Sequence, residues 1–333
     1  MTDKFRAIVI NQTENNFTRE IKELDKKFLT DGEVLVKVDF SGLNYKDALI
    51  LNDGGKLVKE FPRIPGIDFA GKVLESSVSE FKKDEEVILT GCRVGEISHG
   101  GYSQIAKVKK EFLIKSPKTI STKQAMILGT AGFTSLLCAF AIKAREEILL
   151  GEKVNEVLVT GATGGVGTVA VMVLSKLGYK VTAVTGKLDQ ADTLKKLGAT
   201  NIIDRKEYEG EPKLLSKGLW DGVVDTVGGN ILAHAISQTK HSGIVAACGN
   251  AGGIKLNTNV MPFILRGVKL WGIDSIQVGT KRRKFIWDQV TNLIDFDILN
   301  KTVKIVSLQE LLEEFPKMLK GQTYGRILVD VNK

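Results

Sequence analysis

The sequence predicts a two-part α/β protein, in which a β-rich domain is followed by a doubly wound parallel sheet. Its 333 residues exceed what one ordinary hydrophobic core accommodates. Short β-like runs fill the chain up to about residue 125, whereas beyond residue 150 apolar strands alternate with helices. We therefore predict a first domain over residues 1–127, completed by residues 305–333, and a second domain over residues 128–304.

The first domain is predicted from apolar or alternating runs that are separated by Gly, Asp and Ser. These runs indicate a compact, barrel-like set of strands at Arg6–Ile10, Val34–Phe40, Gly71–Leu74, Glu86–Thr90 and Tyr102–Val108. A further strand at Arg326–Val331 follows the helix-rich half. Its position indicates that the chain returns to the first domain.

The second domain is predicted from continuous apolar strands, which are typical of a parallel sheet covered on both faces. Strands are predicted at Val157–Thr160, Lys180–Val184, Ile202–Asp204, Gly222–Val227, Ile244–Cys248 and Leu270–Ile273. Helices are predicted at Thr168–Leu177 and Gln190–Leu197, and a glycine follows each of them.

The N-terminal sequence MTDKFRAIVI lacks the pattern of a signal peptide. The uncharged stretch Ala125–Ile142 approaches the length of a membrane span, but its polar, glycine-rich start favours a buried helix. Cys92, Cys138 and Cys248 are widely spaced and odd in number, so they form neither a disulfide framework nor a zinc knuckle. We expect a soluble protein in a reducing, cytoplasmic compartment.

A glycine-rich turn between a strand and a helix is the strongest motif in the sequence. Val157 to Thr160 is followed by Gly161-Ala-Thr-Gly164-Gly165-Val166-Gly167 and then by a helix. Glycines in such a turn let the backbone approach a pyrophosphate, which the free N–H groups of the helix then bind. With a second strand at the right interval, the turn predicts a dinucleotide site.

The end of the second strand indicates which dinucleotide binds. A site for NAD needs an acid about 20 residues beyond the glycines, where it accepts from the ribose 2′-OH. This chain has Thr185, Gly186 and Lys187 there, and its first acid is Asp189. A hydroxyl, a backbone N–H and an ammonium suit a 2′-phosphate, so the sequence predicts NADPH.

Further segments give the whole chain a resemblance to a known family. Ser41–Asp47, Pro65–Gly71 and Thr130–Thr134 resemble the zinc-free quinone oxidoreductase branch of the medium-chain dehydrogenase/reductase superfamily. More narrowly, the chain resembles the YhdH/YhfP subgroup at Asn44–Asp47, Thr185–Lys187, Ala247–Gly253, Met261–Arg266 and Gly272–Ser275. The resemblance implies a GroES-like catalytic domain, a Rossmann domain and the reduction of acryloyl-CoA.

The residues that stand at the family's zinc positions argue against a metal. Zinc enzymes of this superfamily have Cys where this chain has Asn44, and Gly-His-Glu where it has Gly66-Ile67-Asp68. Ile67 offers no donor atom to a tetrahedral zinc site. The three histidines, His99, His234 and His241, form no closely spaced pair of ligands. We therefore predict no metal.

Three residues are predicted to carry the chemistry. Delivery of hydride to the β-carbon of an enone or enoyl thioester needs a donor aimed at the oxygen that becomes an enolate. The resemblance places Tyr45 against the nicotinamide, where its phenol is such a donor; packing is the alternative role. Asn44 replaces a metal ligand and is expected to face inward. Asp68 is expected either to orient these neighbours or to be structural.

The resemblance also implies which residues bind the cofactor. Thr163, Gly164, Gly165 and Val166 hold the pyrophosphate, and Arg205 joins Lys187, next to Thr185 and Gly186, around the 2′-phosphate or the adenine. The nicotinamide end is lined by Asn250, Ile264 and Ser275, although core packing alone would also explain Ile264. Tyr45, Thr130 and Thr134 are also expected to bind the cofactor. Arg326 faces the cleft or, as is commoner for arginine, the surface.

The net charge of +8 fits either a lysine-rich solvated surface or attraction of polyanions such as NADPH and coenzyme A thioesters. Lys281–Lys284 is the one tight basic cluster; it is either a solvated helix start or a contact for CoA phosphates. Basic residues are otherwise interleaved with acids, which argues against nucleic acid as a partner.

Three functions remain open at this point. The first is an NADPH-dependent acryloyl-CoA reductase, and the second is a quinone or 2-alkenal reductase of the same fold. The third is a nucleotide-binding sensor or structural protein without turnover. The resemblance also suggests a homodimer built through an edge strand at Lys269–Ile273.

Overall fold

The computed structural model describes residues 4–14, 16–30 and 32–333, which form two compact units. The first unit contains Met1–Phe133, Ser275–Thr291 and Thr302–Lys333; the second contains Thr134–Asp274 and Asn292–Lys301. The predicted domain boundaries differ from these units mainly at residues 275–291. These residues were predicted in the second domain but belong to the first unit. Buried Arg283 ties this segment to the first unit by donating to Thr90.

The strands of the first unit are β1 (Lys4–Thr13), β2 (Asn16–Asp25), β3 (Val34–Leu43), β4 (Asp68–Ser76), β5 (Glu86–Thr90), β6 (Ile105–Val108), β7 (Ile114–Lys115), β14 (Val303–Val306) and β15 (Arg326–Asp330). Its helices are α1 (Tyr45–Asp53), α7 (Thr280–Asp288) and α10 (Leu308–Leu319). β15 pairs antiparallel with β3, so the C-terminal strand does return to the first unit. The order β14-β15-β3-β4-β5-β7, with β6 also on β3, encloses an apolar core.

The second unit is a six-stranded parallel sheet with the order β10-β9-β8-β11-β12-β13. Its strands are β8 (Glu156–Thr160), β9 (Lys180–Thr185), β10 (Ala199–Asp204), β11 (Trp220–Asp225), β12 (Thr239–Ala247) and β13 (Lys269–Gly272). Its helices are α3 (Gly165–Lys176), α4 (Ala191–Lys196), α5 (Gly229–Ser237), α6 (Met261–Arg266) and α9 (Phe296–Leu299). The order is that of a dinucleotide-binding sheet, which confirms the predicted fold class.

Two helices run across the division between the units. α8 (Val290–Leu293) is short, whereas α2 (Thr122–Ile148) has 27 residues and an apolar window of membrane-spanning length. That window is 94% buried, as the sequence predicts for a core helix. Gly129 kinks α2, because its φ of 52° and ψ of −150° are not helical.

The chain contains elements that its sequence pattern did not predict, chiefly β2, α1, α5, α6 and α10. β2 has no buried residue and therefore lacks a clear apolar alternation. α10 begins with a capping box, in which Ser307 accepts from the backbone N–H of Glu310 and Glu310 accepts from that of Ser307.

Candidate active site

In the first unit, the candidate site residues are grouped around the N-cap of α1. Asn44 is the N-cap residue, and both ends of its side-chain amide are engaged. Oδ1 accepts from Nη1 of Arg326 at 3.1 Å, while Nδ2 donates to Oδ2 of Asp47 at 3.0 Å and to Oδ2 of Asp68 at 2.9 Å. Asn44 faces inward, as predicted, but its amide protons are used within the protein. The geometry makes it a positioning residue.

Asp68 is fully buried, and protein donors surround its carboxylate. Besides Asn44, the backbone N–H groups of Gly42 and Thr130 donate to it at 3.0 and 2.8 Å. The kink at Gly129 brings the Thr130 N–H into place. A Cβ built on Gly129 would lie 2.8 Å from Oδ2 of Asp68, so the close approach requires glycine.

Arg326 is 2% exposed, so the expectation of a surface arginine is wrong. Its Nε donates to the backbone carbonyl of Ile127 at 3.1 Å, and Nη1 donates to that of Leu43 at 3.3 Å. Burial lowers the pKa of Arg326, and the nearby carboxylates of Asp68 and Asp47 oppose that shift. The sequence pattern did not predict that Arg326 is buried, because this burial depends on the pairing of β15 with β3.

Asp47 completes this buried group, which we call the N-cap network: Asn44, Asp47, Asp68 and Arg326. Burial and, next, the charge of Asp68 raise the pKa of Asp47 from 3.8 to about 7, although Asn44 and the backbone N–H of Ile67 donate to it. Two carboxyl groups thus share one buried cation. A proton on Asp47 brings the network to electrical balance.

Two members of the network, Asn44 and Asp68, stand where the resemblance places the Cys and Glu of the superfamily's zinc enzymes. Ile67 is buried and contributes no donor side chain. Asn44 and Asp68 are bound to each other and to protein groups. Over residues 4–14, 16–30 and 32–333, no group of three or more His, Cys, Asp or Glu side chains is arranged to hold a metal ion.

Tyr45 is the first residue of α1, and it is 37% exposed. On one side Asn44 is fixed by the N-cap network. On the other side Nζ of Lys46 lies 2.8 Å from Oε1 of the buried Glu96. The backbone that carries Tyr45 is therefore held on both sides while its ring reaches the surface, which suits a phenol that must meet a ligand.

The basic cluster Lys281–Lys284 divides into surface and buried residues. Arg283 is buried, and every one of its guanidinium nitrogens donates to the protein, including to the carbonyl oxygens of Ser275, Ile276 and Val278. Neither a solvated helix start nor a CoA contact describes Arg283. It instead fixes the segment that contains Ser275, a residue predicted at the nicotinamide end. No pattern in the sequence indicates that Arg283 is buried.

In the second unit, the glycine-rich turn joins β8 to α3, as predicted. Gly161 has a φ of 58°, and a Cβ built there would lie 2.3 Å from Oγ1 of Thr226. A Cβ on Gly167 would lie 2.3 Å from the carbonyl oxygen of Gly161. Within the described chain no side chain caps the N-terminus of α3 at Gly164. The first N–H groups of α3 are therefore suited to bind a phosphate.

The residues predicted at the 2′-phosphate come together at the ends of β9 and β10. Oγ1 of Thr185 lies 2.9 Å from Oγ1 of Thr163 and accepts from the backbone N–H of Lys187. A Cβ built on Gly186 would lie 3.3 Å from Cζ of Arg205. Burial and, next, the charge of Arg205 lower the pKa of Lys187. Two cations this close favour an anionic ligand.

Asp225, at the end of β11, is a residue that sequence reasoning missed. Its Oδ1 accepts from Oγ1 of Thr160 at 2.6 Å, and Oδ2 accepts from the N–H of Gly228 at 2.8 Å. Burial raises the pKa of Asp225. Asp225 fixes the carboxyl ends of β8 and β11, which a parallel sheet presents to its ligand.

The remaining predicted residues are distributed over both units. Asn250 is exposed on the loop after β12, and Ile264 on α6 is 68% exposed, so core packing does not explain Ile264. Thr130 and Thr134 are buried in α2, and Ser275 belongs to the first unit although it was predicted within the second domain.

Two family models match the chain. The model for the alcohol dehydrogenase GroES-like domain matches residues 30–118, and the model for zinc-binding dehydrogenase matches residues 165–294. Together they cover more than half of the chain. The chain belongs to the medium-chain dehydrogenase/reductase superfamily.

Within this superfamily the chain is similar to proteins over its whole length. It is 44% identical to the acrylyl-CoA reductase AcuI of Ruegeria pomeroyi, with 98% of this chain and 99% of the relative covered. It is 42% identical to the probable acrylyl-CoA reductase AcuI of Escherichia coli, with 98% and 100% covered. It is 40% identical to the putative quinone oxidoreductase YhfP of Bacillus subtilis, with 99% of both covered.

Solved structures of the superfamily have the same fold. The YhdH oxidoreductase of Salmonella enterica, in complex with NADP, matches with a TM-score of 0.94 at 41% identity and covers 98% of this chain and 100% of its own. YhfP of Bacillus subtilis, with NAD bound, matches with a TM-score of 0.92 at 39% identity and covers 98% and 99%. These matches confirm the predicted two-part α/β architecture.

Proposed function

We propose that this chain reduces acryloyl-CoA to propanoyl-CoA with NADPH, by hydride transfer to the β-carbon and without a metal. The observation that carries the proposal is 44% identity over 98% of the chain to a protein named acrylyl-CoA reductase. The geometry agrees, because an exposed phenol on a fixed backbone and a phosphate-binding turn are the parts that such a reaction needs.

The second unit fits the phosphates of NADPH. The close approaches at Gly161 and Gly167 keep the turn tight, so that the backbone N–H groups of Thr163, Gly165 and Val166 can serve the pyrophosphate, while that of Gly164 donates to the carbonyl oxygen of Gly161. Lys187 and Arg205 supply positive charge for the 2′-phosphate, and no acid stands between Thr185 and Lys187 in the sequence. NADP bound to the Salmonella relative supports this assignment, and NAD bound to the Bacillus relative makes NADH the alternative to test. When bound, the reduced nicotinamide supplies the hydride.

Tyr45 is the proposed donor to the thioester oxygen. Negative charge develops on that oxygen as the β-carbon receives hydride, and a phenol hydrogen bond stabilises it. The α-carbon must then gain a proton, which Tyr45 can relay from solvent because its ring is exposed. Asn44 and Asp68 act through the backbone of α1, which they hold in place.

Oxidation of NADPH by the purified protein with acryloyl-CoA, crotonyl-CoA and quinones tests the proposal. We expect the highest kcat/KM with acryloyl-CoA. Faster turnover of quinones would favour the alternative that the Bacillus relative's name supports. Tight binding of NADPH with no hydride transfer to any acceptor would favour a sensor or structural protein.

We also propose a homodimer in the cytoplasm. β13 is an outer strand of the six-stranded sheet among the described residues, and its Leu270 and Trp271 side chains are exposed. An unpaired edge with exposed apolar side chains supports association with a second copy. The free thiols of Cys92, Cys138 and Cys248 support a reducing compartment.

A further inference from the structure

A buried carboxylate in the first unit holds two cations. Glu96 is 3% exposed. Its Oε1 lies 2.8 Å from Nζ of Lys46, and its Oε2 lies 3.4 Å from Nε of Arg93. We call these three residues the Glu96 cluster.

The loop that carries Glu96 and Arg93 is fixed against the first unit. The N–H of Gly91 donates to the carbonyl oxygen of Ile67 at 3.0 Å, and the N–H of Gly95 donates to that of Ser98 at 2.9 Å. Val94 is completely buried between them. Arg93 itself has a φ of 57°, a left-handed conformation that these neighbours impose. The backbone position from which the Arg93 side chain extends is therefore fixed.

The Glu96 cluster has one positive charge more than its single carboxylate can balance. The Lys46 side chain is 26% exposed and that of Arg93 is 45% exposed, so both cations reach solvent. Arg93 uses only Nε on Glu96; in the part of the chain that the structure describes, its Nη1 and Nη2 make no hydrogen bond. A guanidinium fork with two available nitrogens is suited to a phosphate.

We propose that Arg93 and Lys46 bind a phosphate group of the coenzyme A moiety of the substrate. The inference rests on the proposed function, since Lys46 directly follows Tyr45 in α1. A CoA thioester carries phosphates at the far end of a flexible pantetheine arm, whereas quinones and alkenals carry none. Through the Glu96 cluster the protein prefers CoA thioesters to other substrates that contain an activated double bond.

The test compares substrates that differ only in their phosphates. Acryloyl-CoA, acryloyl-dephospho-CoA and acryloyl-pantetheine are assayed with the wild type, Arg93→Gln, Arg93→Lys and Lys72→Gln. Lys72 is a matched control, because it forms a surface ion pair with Glu86 in the same unit. For Arg93→Gln, we expect the ratio of kcat/KM for acryloyl-CoA to that for acryloyl-pantetheine to fall about tenfold. Arg93→Lys keeps the charge but loses the fork, so we expect a ratio between those of wild type and Arg93→Gln, and Lys72→Gln leaves the ratio unchanged.

Calorimetry with propanoyl-CoA and propanoyl-pantetheine, without nicotinamide cofactor, provides a second readout. We expect Arg93→Gln to weaken the binding of propanoyl-CoA by a similar factor. If Arg93→Gln also lowers kcat/KM for acryloyl-dephospho-CoA, Arg93 binds the diphosphate. If the effect of the substitution disappears with that substrate, Arg93 binds the 3′-phosphate. Both outcomes support the inference.

Three results would overturn the inference. An unchanged ratio means that Arg93 does not contact the substrate, and equal losses on both thioesters mean that its role is structural. A rise in KM for NADPH alone means that the anion belongs to the dinucleotide. A wild type that reduces no thioester is a distinct result, which removes the proposed function and the inference with it.

Discussion

Nη1 of Arg326 donates to Oδ1 of Asn44 at 3.1 Å, although 282 positions separate the two residues. Through this bond β15 fixes the N-cap of α1 and the backbone that carries Tyr45. The same guanidinium supplies the cation that faces the buried carboxyl groups of Asp47 and Asp68. The stability of the first unit and the placement of Tyr45 thus depend on one arginine.

Replacement of Arg326 by Met should destabilise the protein by about 3–5 kcal/mol, because it leaves a buried carboxylate without its cation. Chemical denaturation at neutral pH measures the loss as a change in the free energy of unfolding. Arg282→Met, at an exposed position beside the buried Arg283, is the control and should change little. Equal stability of the two variants would contradict the role of Arg326.

Asp47 should make stability fall as pH rises. Its pKa of about 7 in the folded protein is above its ordinary 3.8, so ionisation costs the folded state more than the unfolded state. The stabilisation is complete below about pH 4 and is lost as pH rises through about 7. We expect wild type to lose stability relative to Asp47→Asn between pH 5 and pH 8, as measured by urea unfolding. Asp84→Asn, on the surface, should follow wild type; an advantage of wild type that grows with pH would refute the assignment.

Tyr45→Phe removes one hydroxyl and keeps the ring. If the phenol stabilises the developing enolate, kcat for acryloyl-CoA should fall about 100-fold. Fluorescence titration should show NADPH binding within about twofold of wild type, because the variant keeps the ring that we propose to contact the nicotinamide. A kcat within threefold of wild type would exclude the phenol as the essential donor.

If Lys187 and Arg205 bind the 2′-phosphate as proposed, Lys187→Gln and Arg205→Gln should each raise KM for NADPH about tenfold, because each variant loses one charged hydrogen bond to that phosphate. KM for NADH should stay the same, since NADH lacks that phosphate. Lys195→Gln, exposed on α4, is the matched control. Parallel changes for both cofactors would show that these cations bind something other than the 2′-phosphate.

Trp271→Glu should separate the proposed homodimer. A charge on the exposed edge of β13 would face its own copy across a two-fold interface, where like charges repel. Sedimentation velocity should then give a monomer near 36.4 kDa, while wild type sediments at twice that mass. If wild type is itself monomeric, the dimer proposal fails.

Local chemistry made the second unit predictable. The turn from Gly161 to Gly167 needs small residues and a following helix. Both requirements can be recognised from neighbouring residues in the sequence. The missing acid after Val184 is likewise local, and the structure brings Lys187 and Arg205 together where it predicts. The inner strands β8, β9, β11 and β12 contain apolar runs and are mostly buried, because both faces of the sheet are covered there.

The chemistry of the first unit depends on contacts between distant segments. Arginine is usually a surface residue, yet Arg326 and Arg283 are both buried. Arg326 is buried by the pairing of β15 with β3, and Arg283 by the packing of α7. Asn44 and Asp68 were recognised by resemblance, but their mutual hydrogen bond spans 24 positions. No periodicity in the sequence predicts a hydrogen bond between such distant residues. The positioning role of Asn44 and Asp68 is therefore recognised only from the structure.

The position of β15 also has a consequence for biosynthesis. A ribosome makes β15 after every strand of the second unit, so β3 cannot pair with β15, and Asn44 cannot bind Arg326, until β15 emerges. In the nascent chain, the parallel sheet of the second unit can therefore be complete while the sheet of the first unit still lacks β15.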